Sequence, residues 1–437
     1  MDIKLLDSYF DRLYPICRSI LGKGYRESLE IMREIIPFEI LEFHSRQKVF
    51  DWVIPDEWEV NKAYLENING EKIIDFKDNN LHLVNYSDRY IGDVSWEELK
   101  EHLYFDKDLP KAIPYVTSYY KKRWGFCLSY EQFNKLPNTN YKVVIDTYFK
   151  KGILQVGEYL LKGRTDKEIL ITTYLCHPSM GNNELSGPLV MMYLYQQLKQ
   201  IKDRTFSYRF VVNPETIGSI SYLSLRKEEL RKNVLAGLVL TCLGGEVDKL
   251  SYKKSKNGNS IIDRLFIEAM NKDGDLRDFT PLGGSDERQY NTIGIDIPVG
   301  QIARTVYNEY PEYHTSLDDK NFMSLEQVYK SAEEIFRLFN LLETTSYFEN
   351  LFPFGEPQLG KRGLYPNINT KQTRRSRASS SNNLAYSENF TKIVMYLLNY
   401  SDGTFSTREI AEMIDIKEQE ILNVAYKLEE HKLLRKI

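Results

Sequence analysis

Apolar residues recur at helical spacing from the start of the chain. Leu5, Tyr9, Leu13, Ile16 and Ile20, then Leu29, Ile31, Met32 and Ile35, predict helix over residues 1 to about 35. The pattern then changes. "KVFDWVIPDEWEVNKAYLENINGEKIIDFKDNNLHLVNYSDRYIGDV" alternates apolar and polar positions and carries Pro, Asn69-Gly70 and Asp78-Asn79-Asn80 as turn signals, the mark of an antiparallel β module. It ends near "LPNTNYKVVIDTYF". From about residue 146 to 350, strand patterns at Ile169 to Thr173, Tyr208 to Val212 and Leu235 to Thr241 alternate with helical ones at Leu185 to Gln200, Ile220 to Glu229 and Ile261 to Asn271. Such alternation predicts an α/β domain with a mostly parallel mixed sheet flanked by helices.

"GKRGLYPNINTKQTRRSRASSSNN", Gly360 to Asn383, is polar and basic and reads as an arm or linker. Three helical patterns and a short final strand follow. Ser406, with Glu409 three residues on, is a capping-box start for the middle helix. This order resembles a winged helix. The expected boundaries are residues 1–45 and 140–355 for the α/β domain, 46–139 for the inserted β module, 356–385 for the linker and 386–437 for the winged-helix unit.

Composition narrows the classes. A chain of 437 residues suggests two or three domains, and a net charge of −4 gives no general electrostatic case for nucleic acid or an anionic membrane. The four cysteines, Cys17, Cys127, Cys176 and Cys242, form no CxxC pair and read as reduced, buried thiols. The N-terminus is acidic and no stretch approaches the ~20 apolar residues of a membrane span. The expectation is a cytoplasmic protein without membrane contact.

Chemistry concentrates where apolar runs end. His177 directly follows a predicted strand. A single histidine there is more often a hydrogen-bonded loop residue, but sites in open α/β sheets lie beyond the carboxyl ends of strands. "FVVNPETIGSI" repeats the layout with Glu215. "PLGGSDERQYNTIGIDIPVG" places Asp286, Glu287 and Arg288 in an apolar setting. "YNEYPEYHTSLDD" sets His314 among Glu309, Glu312 and Asp318. Together His177, Glu215, Asp286 and His314 supply what a zinc hydrolase needs: three or four N/O ligands with an open position, and a carboxylate to take a proton from water.

The motifs "CHPSMGNNELSG", "NPETIGS", "GGSDERQY" and "EYPEYHTS", in this order, resemble the zinc aminopeptidases and glutaminyl cyclases. More closely they resemble a bacterial aminopeptidase-like family with an inserted β domain and a C-terminal winged helix, often associated with polysaccharide biosynthesis. The resemblance covers nearly the whole chain. It implies that His177 and His314 are the first and last histidine ligands and that Glu215 stands where the peptidases keep a Glu pair, one a general base and one a ligand, although this sequence has only one acid there, beside Asn213 and Pro214. Asp286 matches the Asp of a Ser-Asp motif that is a ligand in some relatives. Two features depart from the two-zinc pattern. Asn183 stands where the bridging Asp is expected, and Gly245 and Glu246 stand where the mid-chain Asp ligand belongs. Either Glu184 and Glu246 substitute, or the site holds one metal, or none.

The sequence therefore predicts a zinc-dependent hydrolase of the aminopeptidase class, with one ion favoured over two. Glu215 is the expected catalytic base, and His177, Glu184, Asp286 and His314 the candidate ligands. Arg288, Arg304 and Glu309 are candidate substrate-binding residues. The substrate would be a peptide or small amide. A sugar or metabolite amide, or a scaffold role without catalysis, stays open. The second half of the winged helix, "KEQEILNVAYKLEEHK", holds four Glu against three Lys, which points to a protein partner rather than specific nucleic acid.

Overall fold

A computed structural model describes residues 1–270, 274–364 and 388–437. The expected basic arm with Arg374, Arg375 and Arg377 lies outside the described residues. The chain forms two compact units, residues 1–202 with 207–338, and residues 203–206 with 339–437. No helix among the described residues is long and apolar enough to cross a membrane.

The larger unit is built on an eight-stranded mixed sheet. Its strand order is Glu39–His44, Ile153–Leu161, Ser207–Asn213, Glu168–Tyr174, Val234–Leu240, Val299–Ala303, Ser251–Lys253, Asp275–Arg277. The central four strands are mutually parallel. Glu168–Tyr174 and Ser207–Asn213 are buried at every position, which is why both read as continuous apolar runs rather than alternating ones. Arg209 is the exception in that run. It stays buried because Glu168 (2.6 Å) and Glu229 (2.6 Å) pair with it, and Glu158 does so too. The helix Ser186–Gln200 packs on the sheet so closely that a β-carbon on Gly187 would stand 2.4 Å from the Leu240 carbonyl oxygen. Only glycine permits that approach.

Residues between Glu39–His44 and Ile153–Leu161 contribute no strand to this sheet. They form their own four-stranded antiparallel sheet, Lys72–Asp75, Glu57–Glu66, Tyr141–Lys150, Tyr90–Val94, and two small two-stranded pairs. Tyr141–Lys150 belongs to this inserted module, so the chain returns to the large sheet at Ile153, later than the expected residue 140. The apolar pattern of Tyr141–Lys150 is that of a strand in either sheet, and only pairing decides between them.

Among its described residues the smaller unit sets the helices Glu388–Tyr400, Thr407–Ile414 and Glu418–Glu430 against an antiparallel sheet ordered Asp402–Ser406, Tyr347–Asn350, Leu434–Lys436. The Ser406–Glu409 capping box is formed. The middle strand, Tyr347–Asn350, precedes the expected linker, so this unit starts well before the expected residue 386. Four residues are too few to show a period, and their partners lie far along the chain.

Candidate metal centre

The strand Glu168–Tyr174 pairs in parallel with Ser207–Asn213 on one side and Val234–Leu240 on the other. The chain order reverses there, and the crevice at the carboxyl ends of these strands is where open sheets bind ligands. His177 leaves the end of the first strand, and Glu215 follows the end of the second. A π-helical turn, Gly181–Leu185, then enters the helix that starts at Ser186. Such turns are frequent at functional sites.

His177 is anchored from behind. Glu184 takes the His177 backbone N–H on Oε1 at 2.8 Å and lies 2.7 Å from the imidazole Nδ1 with Oε2. Arg18, fully buried, donates from Nε to the His177 carbonyl at 2.9 Å and sits 3.8 Å from Glu184. A carboxylate on Nδ1 fixes the ring and leaves Nε2 as the outward nitrogen. That Nε2 lies 3.9 Å from Glu215 Oε2. The His314 ring centre is 5.1 Å from that of His177, and its Nε2 is buried without a hydrogen-bond partner. Glu215 is held through its other oxygen, which accepts from Ser285 Oγ at 2.6 Å.

The electrostatics separate the two imidazoles. Burial, reinforced by His177, lowers the His314 pKa to about 3, so this ring is the neutral, ligand-competent form. At His177 burial opposes charge, the Cys176 sulfur and the Glu184 carboxylate favour it, and the pKa ends well above the usual range. The Glu184 contact is the physical anchor, because burial pushes the Cys176 thiol itself up to about 11 and keeps it neutral. Burial also raises Glu215, against the lowering effect of His177 and Ser285.

Among the described residues, the tightest trio of ligand-type atoms is Cys176, His177 and Glu184, all within 4.8 Å of one another. In that trio both Glu184 oxygens already contact His177. On the other side of the His177 ring its Nε2 lies 3.9 Å from Glu215, and the ring of His314, whose buried Nε2 lacks a partner, is centred 5.1 Å from that of His177. Imidazole nitrogens and carboxylates are donor types that zinc takes.

The remaining expected residues divide. Asp286 lies close by, yet its oxygens are filled by protein donors: Thr216 N–H (2.7 Å) and Ser219 Oγ (2.8 Å) on Oδ1, and Asn213 Nδ2 (2.7 Å) on Oδ2. Thr216 has a φ of 63°, so Asp286 braces the strained residue next to Glu215 rather than facing the centre. Arg304 has no exposed surface and spends all three guanidinium nitrogens on Ser331, Val247, Asp248 and Glu334, which turns it away from a substrate role. Glu309 is exposed on the loop before Tyr310. Arg288 is half-buried, with Nε 3.3 Å from the Ser285 carbonyl, and stays beside the site. Glu246 is exposed. Asn183 donates to Tyr174 Oη at 3.0 Å, and its own Oδ1 is buried without a partner.

Several contributors were not singled out from the sequence. Ser285 lay inside a quoted motif. Arg18 had a signal, a lone cation in the apolar run Ile16 to Ile20. Tyr313 lay directly before His314 in another quoted motif, and Tyr115 had no signal. Tyr313 stacks on His314 at 3.9 Å between ring centres, and Tyr115 meets both imidazoles edge-on.

The fold is that of the zinc aminopeptidases: the enzyme BSAP from Bacillus subtilis superposes over 78% of this chain and 95% of its own, with a TM-score of 0.53 at 15% identity. Residues 8–345 match the family described as "Domain of unknown function (DUF4910)" and residues 346–436 match "winged helix-turn-helix"; the chain belongs to this aminopeptidase-like family. A Clostridium acetobutylicum relative is 41% identical over 404 residues, covering 92% of this chain and 89% of its own. Its name makes it a candidate polysaccharide biosynthesis protein with an aminopeptidase-like domain. A crystal structure of a candidate peptidase from the same organism covers 100% of this chain and 96% of its own, with a TM-score of 0.78 and 37% identity.

Proposed function

We propose that the chain is a single-zinc hydrolase that cleaves an amide bond, with His177 and His314 holding the metal and Glu215 facing it as the base. The observation that carries this reading is the buried, unpartnered Nε2 of His314, in a ring centred 5.1 Å from that of His177, whose Nε2 lies 3.9 Å from the Glu215 carboxylate. When bound, zinc supplies Lewis-acid polarisation at the reacting centre. Glu215 accepts a proton from the attacking water and delivers it to the leaving nitrogen. Burial raises its pKa, which suits a group that must both take and give a proton near neutral pH. Ser285 holds one Glu215 oxygen so that the other faces His177. Arg288, next to Ser285, is the remaining candidate for holding a substrate carboxylate or phosphate. Asn183 is neutral and cannot offset the repulsion of two dications, which supports one ion over two.

The name of the 41%-identical relative favours a second reading of the substrate, an amide on a sugar or sugar precursor. A panel of aminoacyl amides, dipeptides and N-acyl sugars, run with zinc-loaded protein, tests both readings. Cleavage lost in Glu215→Gln supports the hydrolase. No cleavage anywhere in the panel favours a binding role for the fold.

A further inference from the structure

The inserted module grips both loops that carry the histidines. Ile113 and Ser316 exchange two hydrogen bonds, Ile113 N–H to Ser316 Oγ at 3.0 Å and Ser316 N–H to the Ile113 carbonyl at 2.9 Å. One step along, Tyr115 N–H donates to the His314 carbonyl at 2.8 Å. His314 itself has a φ of 56°, a conformation that a residue with a β-carbon holds only when its surroundings enforce it. On the other loop, Asn80 Nδ2 donates to Ser179 Oγ at 2.9 Å. Met180 is buried in a small cluster with Leu81, Val84 and Ile113 of the module.

Tyr115 joins the two grips. Its ring stands edge-on to His177 (5.2 Å between centres, 69°) and to His314 (5.5 Å, 86°). Its hydroxyl is tied to Tyr119 Oη at 2.8 Å, also within the module. Tyr313 stacks on His314 with 3.9 Å between ring centres. The ring is therefore locked by its own module and set against both imidazoles at once.

We infer that the inserted module is part of the metal centre, and that Tyr115 is a positioning residue that fixes the mutual angle of His177 and His314. The inference rests on the zinc reading above. It accounts for a module that adds no strand to the large sheet yet contacts both ligand loops. A support of this kind typically governs metal affinity by about 10–100-fold.

The test uses the full chain titrated with cobalt(II), read by its visible absorption and by affinity. Tyr115→Phe keeps the ring edges but loses the tie to Tyr119, and should fall between wild type and Tyr115→Leu in both. Tyr115→Leu fills most of the volume without an aromatic edge. It should bind cobalt at least about tenfold more weakly and shift the absorption bands, with an unchanged circular dichroism spectrum. Asn80→Ala, at a half-exposed position, should weaken binding in the same direction and serves if Tyr115→Leu misfolds. Wild-type affinity and spectrum in Tyr115→Leu, or in Asn80→Ala should the leucine variant misfold, would overturn the inference and leave the zinc reading standing. Failure of wild type to take up cobalt would remove the zinc reading itself, and this inference with it.

Discussion

Ser285 Oγ and Glu215 Oε1 are 2.6 Å apart, and this bond leaves Glu215 Oε2 as the oxygen nearest His177. Ser285 is held in turn, since its backbone N–H donates to Glu287 at 2.9 Å, and Glu287 is paired with buried Lys253 at 2.8 Å. Gly284 makes the turn possible. Its φ is 143°, and a β-carbon there would fall 2.0 Å from Glu287 Oε1. Glu215 is thus placed by a loop on a different element from its own. Glu215→Gln preserves shape and the Ser285 contact but cannot accept a proton. Turnover should fall by roughly 10²–10⁴-fold. A metal analysis run beside the rate assay should show most of the zinc retained. A variant with full rate and full zinc would take Glu215 out of the chemistry.

Glu184 should act through His177 rather than on the metal directly. Glu184→Gln keeps a hydrogen-bonding group on Nδ1 but removes the charge that fixes the ring and balances Arg18. Zinc affinity should drop by about 10–100-fold, measured by competition with a chromogenic chelator. Complete loss of binding, as expected for His177→Ala, would mark Glu184 as a ligand instead.

Asp286 gives a signed pH dependence. Burial first, and then the nearby Glu215, push its pKa up to about 7. In the unfolded chain an aspartate titrates near about 3.9. Between those values the folded chain holds a proton that the unfolded chain has lost, so this group's contribution to stability falls as pH rises from about 4 to about 7. Asp286→Asn should lower the melting temperature of the zinc-free protein, because the amide opposes Asn213. The gap between wild type and variant should narrow from pH 5 to pH 8. A gap that widens over that range would contradict the assignment.

What was legible in the sequence follows from which interactions are local. The strands Glu168–Tyr174 and Ser207–Asn213 showed because burial on both faces writes a continuous apolar run. His177 and Glu215 showed because each ends such a run. Asp286 was visible as a charge in an apolar setting, but its partners Asn213, Thr216 and Ser219 lie some seventy positions away, so its bracing role could not be read. Arg304 looked like a free cation for the same reason. Tyr115 lies in a module whose own pattern says nothing of His314, and its place depends on pairing between residues 113–115 and 314–316. The winged-helix boundary was missed because Tyr347–Asn350 finds its partners only after residue 401.

The winged helix should not read DNA by sequence. Its last helix, Glu418–Glu430, begins with Glu418 and Glu420 in the first turn, where recognition helices make their base contacts. Acidic groups there repel phosphate. A gel shift at physiological salt should show no selective complex, and selective binding at nanomolar protein would contradict this. A protein partner is the remaining expectation for this unit.

The most direct test of the account is anomalous scattering at the zinc edge from crystals grown with the metal. The account predicts one zinc per chain, about 2.0–2.1 Å from a nitrogen of both His177 and His314, with Glu215 facing the same ion and Asn183 outside its shell. An anomalous peak absent from these histidines, or a second ion coordinated by Asn183, would contradict it.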